Sequence, residues 1–76
     1  MSGSEKEKPV DSLGTALPRE MKRVRDEVMP QYIAIGPAGL LGLAMMRAAL
    51  DRATKALAEG DVVTMIRVYE DLKGFE

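Results

Sequence analysis

Apolar positions recur at helical spacing from about residue 15 onward, and no segment alternates with a period of two. A first helix is predicted to bury one face, because four apolar residues are spaced by four, three and four: Leu17, Met21, Val24 and Val28. Thr15 can cap this helix, with Pro18 in its first turn. Pro30 has no backbone N–H to donate, so the helix should stop or kink near Val28 or Met29.

A second helix is predicted from about Ala38 to Glu59, after a break at Gly36–Gly39. One side of it, spanning about 140° around the helix axis, is apolar. We call this side the apolar arc, and it comprises Gly42, Leu43, Met46, Ala49, Leu50, Ala53, Ala56 and Leu57. Further apolar residues lie outside the arc, in the N-terminal half of the helix: Leu40, Leu41, Ala44, Met45 and Ala48. A helix that is apolar on most sides needs a second cover or leaves an exposed patch.

A third helix is predicted from Val62 to about Lys73, with Asp61 as its N-cap and Gly60 ending the helix before it. Because the turn is so short, the second and third helices should form an antiparallel hairpin. The apolar face predicted for the third helix comprises Val62, Met65, Ile66, Tyr69 and Leu72. Gly74 is expected to end this helix in a Schellman motif, with Phe75 folded back on the last turn.

The predicted fold is therefore all-α, with three helices, the first kinked or stopped before Pro30, and a C-terminal antiparallel helical hairpin. Residues 1–14 are mostly polar and are predicted to be a disordered tail, and residues 15–76 a single helical domain. The chain start lacks the apolar segment of a secretory signal. The longest apolar stretch, Tyr32–Met46, is shorter than the roughly 20 residues of a membrane-spanning helix. We expect a cytoplasmic protein that does not enter membranes.

The chain contains no cysteine and no histidine, which excludes thiolate chemistry, sulfur-bound zinc and an imidazole base. The carboxylates of Glu70 and Asp71 point about 100° apart on a helix, so they do not converge on a metal or a reacting group. The glycines of Gly36–Gly42 match no phosphate-binding motif and indicate a close helix connection. We therefore expect no catalytic residue, no metal site and no cofactor, and a protein that is not an enzyme.

A basic cluster on the first helix is the one feature that favours nucleic acid: Arg19, Lys22, Arg23 and Arg25. These residues support an alternative function, a small dimeric nucleic-acid-binding regulator. Acidic residues interleave with the cluster, no aromatic side chain stands among them to stack on bases, and the net charge is −1. Nucleic-acid binding is therefore disfavoured. Residues 31–58 are basic and residues 59–76 acidic, so the two regions can complement each other within or between chains.

Oligomerisation is expected because about 60 ordered residues, without disulfides or a metal, make a marginal monomer. The leading hypothesis is a small self-associating module, a homodimer that acts by binding another protein. The interface predicted for it comprises Leu40, Leu41, Gly42, Met45, Met46, Ala49, Ala53 and Ala56. In composition the chain resembles many small bacterial and phage proteins, with no motif specific to a family.

Overall fold

A computed structural model describes residues 9–76, and over this range the chain is helical with short turns and no strand. The elements are α1 (Pro9–Arg23), a π-helical turn (Val24–Val28), α2 (Met29–Ala34), a 3-10 turn (Gly36–Gly39), α3 (Leu40–Glu59) and α4 (Val62–Lys73). The all-α class predicted from the sequence is confirmed. The predicted first helix corresponds to α1 and the π turn, and α2 continues beyond its predicted end.

The first helix begins at Pro9, six residues before the start predicted at Thr15. Residues 9–14, which the sequence assigned to a disordered tail, are helical, and Leu13 packs against the core. The helical spacing of Leu13 and Leu17 continues the buried face toward the N-terminus. That contact outweighs the poor helix propensity of Gly14. The remainder of the predicted tail, residues 1–8, lies outside the described residues.

The interruption predicted before Pro30 is a π turn rather than a stop. The N–H of Met29 donates to the carbonyl of Val24, five residues back, and α2 then continues with Pro30 in its first turn. In a regular α-helix the proline ring would meet the carbonyl four residues earlier, that of Asp26. The wider π turn changes that register, while Val24 and Val28 remain buried.

The core is formed by the apolar arc of α3 and the faces that α1, α2 and α4 turn toward it. Its buried side chains are Leu17, Val24, Val28, Met29, Leu43, Met46, Ala49, Ala53, Val68 and Leu72. Ala56 is also buried, and Gly42, Leu50 and Leu57 are half-buried. The predicted arc is thus the buried side of α3 within one chain. Its alanines allow the neighbouring helices to approach closely, which bulkier side chains would prevent.

The apolar face predicted for α4 was wrong by a rotation around the helix. Val68, which the prediction omitted, is buried with Leu72, whereas Val62 and Ile66 are exposed. Met65 and Tyr69 lie half-buried at the edge. Apolar residues occur on most sides of α4, so its pattern does not specify which side turns inward. Both α1 and α3 pack against α4, and their positions leave Val62, Val63 and Ile66 outside.

The turn between α3 and α4 is built as predicted. Gly60 has φ +69°, in the left-handed region that favours glycine. Asp61 caps α4, because its carboxylate accepts hydrogen bonds from the Thr64 N–H at 3.2 Å and the Thr64 hydroxyl at 2.7 Å. The hydrogen bond from the Thr64 hydroxyl, followed by that from its backbone N–H, holds the pKa of Asp61 below its ordinary value.

The C-terminal end of α4 differs from the predicted Schellman motif. Gly74 has φ −77° and is right-handed, so its backbone does not need a glycine. The guanidinium of Arg23 donates to the carbonyls of Leu72 and Phe75 at 3.0 and 3.1 Å. Arg23 also pairs with Glu20 at 3.0 Å. A side chain from α1 therefore adds hydrogen bonds to carbonyls at the end of α4, where the Leu72 carbonyl also accepts from the backbone N–H of Phe75, and local sequence cannot indicate this long-range contact.

Candidate interaction surface

The corner between α2 and α3 is held by glycines that leave no space for a side chain. A Cβ at Gly42 would lie 2.5 Å from Cε2 and 2.6 Å from Cδ2 of the Tyr32 ring. A Cβ at Gly39 would overlap the backbone carbonyl of Tyr32. Gly36 has φ +74°, which a Cβ makes costly. The close connection predicted for this glycine segment is therefore present, and it gives the corner a defined shape.

Large aliphatic side chains point outward on both sides of this corner. We call them the corner patch: Ile33, Ile35, Leu40, Leu41 and Met45, which are between 53% and 74% exposed. No charged residue occurs between Gln31 and Met46, so the patch is uninterrupted by charge along the chain. An apolar surface of this kind, on a corner that is fixed by close packing, is typical of a contact site.

A groove lies beside the corner patch, between α3 and the end of α4, with a volume of about 510 Å³. Its lining comprises Met45, Ala48, Arg52, Glu70, Asp71, Gly74 and Phe75. The lining is apolar along Met45, Ala48 and Phe75, and its charged part includes an ion pair between Arg52 and Asp71 at 3.2 Å. Because Met45 belongs to both, the groove and the corner patch form one continuous surface.

The predicted dimer interface is divided by the structure into two groups. Leu40, Leu41 and Met45 are exposed and available for contact. The other five residues are covered by the same chain, which corrects the prediction that they contact a second copy. Gly42 lies against Tyr32, and Met46, Ala49, Ala53 and Ala56 are buried in the core. These residues belong to the apolar arc that the other helices of the same chain cover. A contact with a second copy through Ala49 would require the core to open.

The predicted basic cluster is not an open row of cations. The guanidinium of Arg23 is engaged at the end of α4, which leaves it less available for the predicted nucleic-acid contact. Lys22 and Arg25 both bind the carboxylate of Asp26, each at 3.1 Å. These two hydrogen bonds, that of Lys22 first, hold the pKa of Asp26 below its ordinary value. Arg19 is exposed on the same helix.

A second group of exposed apolar residues was missed by the sequence analysis. Val62, Val63 and Ile66 lie at the start of α4 and are between 46% and 62% exposed. They follow the C-terminal end of α3, whereas the corner patch lies around its N-terminal end. The sequence signal was present, because α4 has more apolar residues than one face can hold, but it did not show which of them would stay outside.

Two kinds of feature are absent from the described part of the chain, a metal-binding cluster and a membrane-spanning helix. The described residues contain no cluster of carboxylates that could hold a metal ion, and no buried charged side chain occurs in residues 13–76. None of the described helices is both long and apolar enough to cross a bilayer. None of the family models, curated proteins or solved structures compared with the chain is similar to it.

Proposed function

We propose that this protein is a small self-associating protein–protein interaction module without catalytic activity. It forms a homodimer in the cytoplasm and acts by binding another protein. The observation that carries the proposal is the corner patch, where five large aliphatic side chains are each more than half exposed. These five side chains are not part of the hydrophobic core. They are therefore available to contact another protein.

The corner is suited to binding because its backbone is already ordered. Tyr32 packs against Gly39 and Gly42, which fixes the angle between α2 and α3 before any partner arrives. A preformed surface loses less conformational entropy on association than a mobile loop. The patch has five large side chains, however, whereas a standard interface involves about 20–30 residues on each side. We therefore expect a weak, reversible dimer with affinity in the micromolar range.

Sedimentation of the wild-type chain across the micromolar concentration range tests the proposal. We expect the average mass to rise from that of the 8.3 kDa monomer toward twice this value. Leu41→Glu should remain monomeric and folded, because it places a charge at the most exposed side chain of the patch. Val63→Glu adds the same charge at a similarly exposed aliphatic residue and should dimerise like the wild type.

A wild-type chain that is monomeric throughout that concentration range would overturn the proposal of a homodimer. Equal weakening by Leu41→Glu and Val63→Glu would instead show a response to charge rather than a specific patch. Circular dichroism of each variant verifies that helix content is retained. In that way a loss of dimer is not confused with unfolding.

Nucleic-acid binding has less support, since Arg23 is engaged within the chain and Lys22 and Arg25 share one carboxylate. Elution from heparin at low salt, with no salt-sensitive shift of nonspecific DNA, is the expected result. Tight binding that falls steeply as salt rises would favour the regulator instead.

A further inference from the structure

We propose that residues 74–76 form a strap that α1 holds in place through Arg23, and that this contact controls whether the groove between α3 and α4 keeps its aromatic wall. When Arg23 lets go, the strap detaches while the helices stay packed. The inference concerns a conformational device within one chain, so it stands or falls independently of the self-association proposed above.

The backbone of the strap is tied to α4 by short-range hydrogen bonds. The helix ends at Lys73, and the N–H of Gly74 then donates to the Asp71 carbonyl at 3.1 Å. The N–H of Phe75 donates to the Leu72 carbonyl, also at 3.1 Å. Both bonds span three residues, and such bonds have poorer geometry than those of a regular α-helix. Chain ends held in this way open locally at a lower free energy than the packed helices.

Arg23 adds a contact from a distant part of the chain. One nitrogen of its guanidinium, Nη2, donates to the carbonyls of Leu72 at 3.0 Å and Phe75 at 3.1 Å. Leu72 is fully buried in the core and Phe75 belongs to the strap, so a single group joins the strap to the fixed end of α4. Because the donor is charged, these hydrogen bonds are stronger than those between neutral groups.

Glu20 holds the guanidinium in position for this contact. Its carboxylate accepts from Nε and from Nη2 of Arg23, each at 3.0 Å. The side chains of Arg23 and Glu20 are only 30% and 20% exposed, so solvent screens this pair less than an ion pair on the open surface. Glu20 is therefore a positioning residue for Arg23, and α1 contributes both members of the clasp.

The groove depends on where the strap lies. Phe75 packs against the core and lines the groove, and Gly74 lines it as well. The other apolar side chains of the lining are those of Met45 and Ala48 on α3. A detached strap would remove the aromatic ring and leave these two on an open face. Since Met45 also belongs to the corner patch, the surface beside the patch changes with the strap.

A tryptophan in place of Phe75 reports the state of the strap, because the chain contains no other tryptophan. In Phe75→Trp the indole should be partly shielded from acrylamide, since the ring that it replaces is half-buried against the core. Adding Arg23→Gln removes the charged donor. Acrylamide quenching should then rise several-fold and the emission should shift to longer wavelength, while circular dichroism and the cooperative melt show that the helices remain packed.

Arg25→Gln is the matched control, because it removes a guanidinium of the adjoining π turn whose ion pair is with Asp26. It should leave the indole as shielded as in the parent. Arg23→Lys keeps the charge but lacks the planar guanidinium, so it should give intermediate quenching. Exchange of the Phe75 amide in chains without the tryptophan repeats the comparison, and Arg23→Gln should speed it up relative to the Ala53 amide of α3.

A strap released in Arg23→Gln, with the helices intact and Arg25→Gln silent, supports the proposal. An indole that stays shielded in Arg23→Gln overturns it. Exposure of the indole only as the whole chain melts also overturns it, because Arg23 would then stabilise the fold in general. If Arg23→Gln does not fold, Arg23→Lys and Glu20→Gln decide in its place. Unchanged quenching and unchanged Phe75 exchange in both folded variants would refute the strap.

Discussion

One apolar side of α3 is buried in the core, whereas the other apolar side is exposed. On the apolar arc, the small side chains of Ala49 and Ala53 are almost completely buried, whereas Leu41 on the outward side is 74% exposed. Burying the leucine would contribute more free energy than burying either alanine, about 1.5–3 kcal/mol for a full side chain. The fold nevertheless covers the arc, because its small residues let α1 and α4 approach the helix axis.

On α3, the size of a side chain influences its burial as much as its hydrophobicity does, because small side chains allow another helix to pack closely against them. The other three helices, α1, α2 and α4, cover one side of α3 but leave the opposite side exposed near the corner. Close packing uses the alanine side, and the large side chains that remain outside form the corner patch. In this chain the residues that stabilise the fold and those proposed for association are therefore separate sets on one helix.

The largest difference is expected between two variants that place a glutamate on the buried side and on the exposed side of α3. Ala49→Glu places an unpaired carboxylate in the core, at a cost of several kcal/mol. A domain this small has a total stability of the same order, roughly 0.05–0.15 kcal/mol per residue, so the variant should be unfolded at every concentration. Leu41→Glu should keep the helix content of the wild type. Circular dichroism of dilute samples measures both, and a cooperative, near-wild-type melt of Ala49→Glu would contradict the assignment of the arc to the core.

The glycine corner should give the next largest effect. Gly39→Ala forces a Cβ into the backbone of Tyr32, so α2 must move away from α3, and we expect a loss of about 1–3 kcal/mol. Gly14→Ala is the control, because no atom lies within 4 Å of a Cβ there and α1 is helical at that residue. It should stabilise the chain by up to about 1 kcal/mol. Urea denaturation resolves the two signs, and a neutral Gly39→Ala would show that the corner is not tightly packed.

The next prediction concerns the start of α1, a helix that helps to cover the apolar arc of α3. Leu13 is half-buried against the core, so Leu13→Ala should cost about 1 kcal/mol, less than a fully buried leucine. A loss of that size lowers the melting temperature of so small a domain by roughly 4–8 °C. Thr15→Ala changes an exposed residue of the same helix and should leave the melting temperature unchanged or slightly raised. An unchanged melting temperature in Leu13→Ala would mean that residues 9–14 are not part of the packed domain.

Local patterns predicted the parts of the fold that depend on local chemistry. The bounds of α4, the left-handed Gly60 and the Asp61 cap follow from residues within a few positions of one another. The buried side of α3 was also predictable, because its polar residues leave one arc free. The buried side of α4 was not, since its apolar residues spread over more than half of the helix circumference and the packing of α1 and α3 selects among them.

The candidate surface could be predicted only in part. An excess of apolar residues at the start of α3 indicated that Leu40, Leu41 and Met45 would need a further cover, and they are exposed. Which apolar residues of α3 are exposed and which are buried depends on where the other helices pack against it, and the sequence pattern does not show this. The groove depends on Phe75 and on how far α4 extends along α3, which are long-range features. The cap that Arg23 makes on α4 is of the same kind.

The smallest predicted effect is the response to acid. No buried ionisable side chain occurs in residues 13–76, so acid acts on this part of the fold through carboxylates outside the core. Asp61 is the clearest case, because its hydrogen bonds from Thr64 lower its pKa in the folded chain. A lowered pKa contributes stability that is present above the unfolded value of 3.8 and is lost as the pH falls through the folded value. Asp61→Asn can still accept a cap hydrogen bond but cannot titrate, so its stability should depend less on pH below about 4. Urea midpoints measured from pH 6 to pH 3 compare the two chains, and identical pH profiles would exclude a contribution from the Asp61 carboxylate.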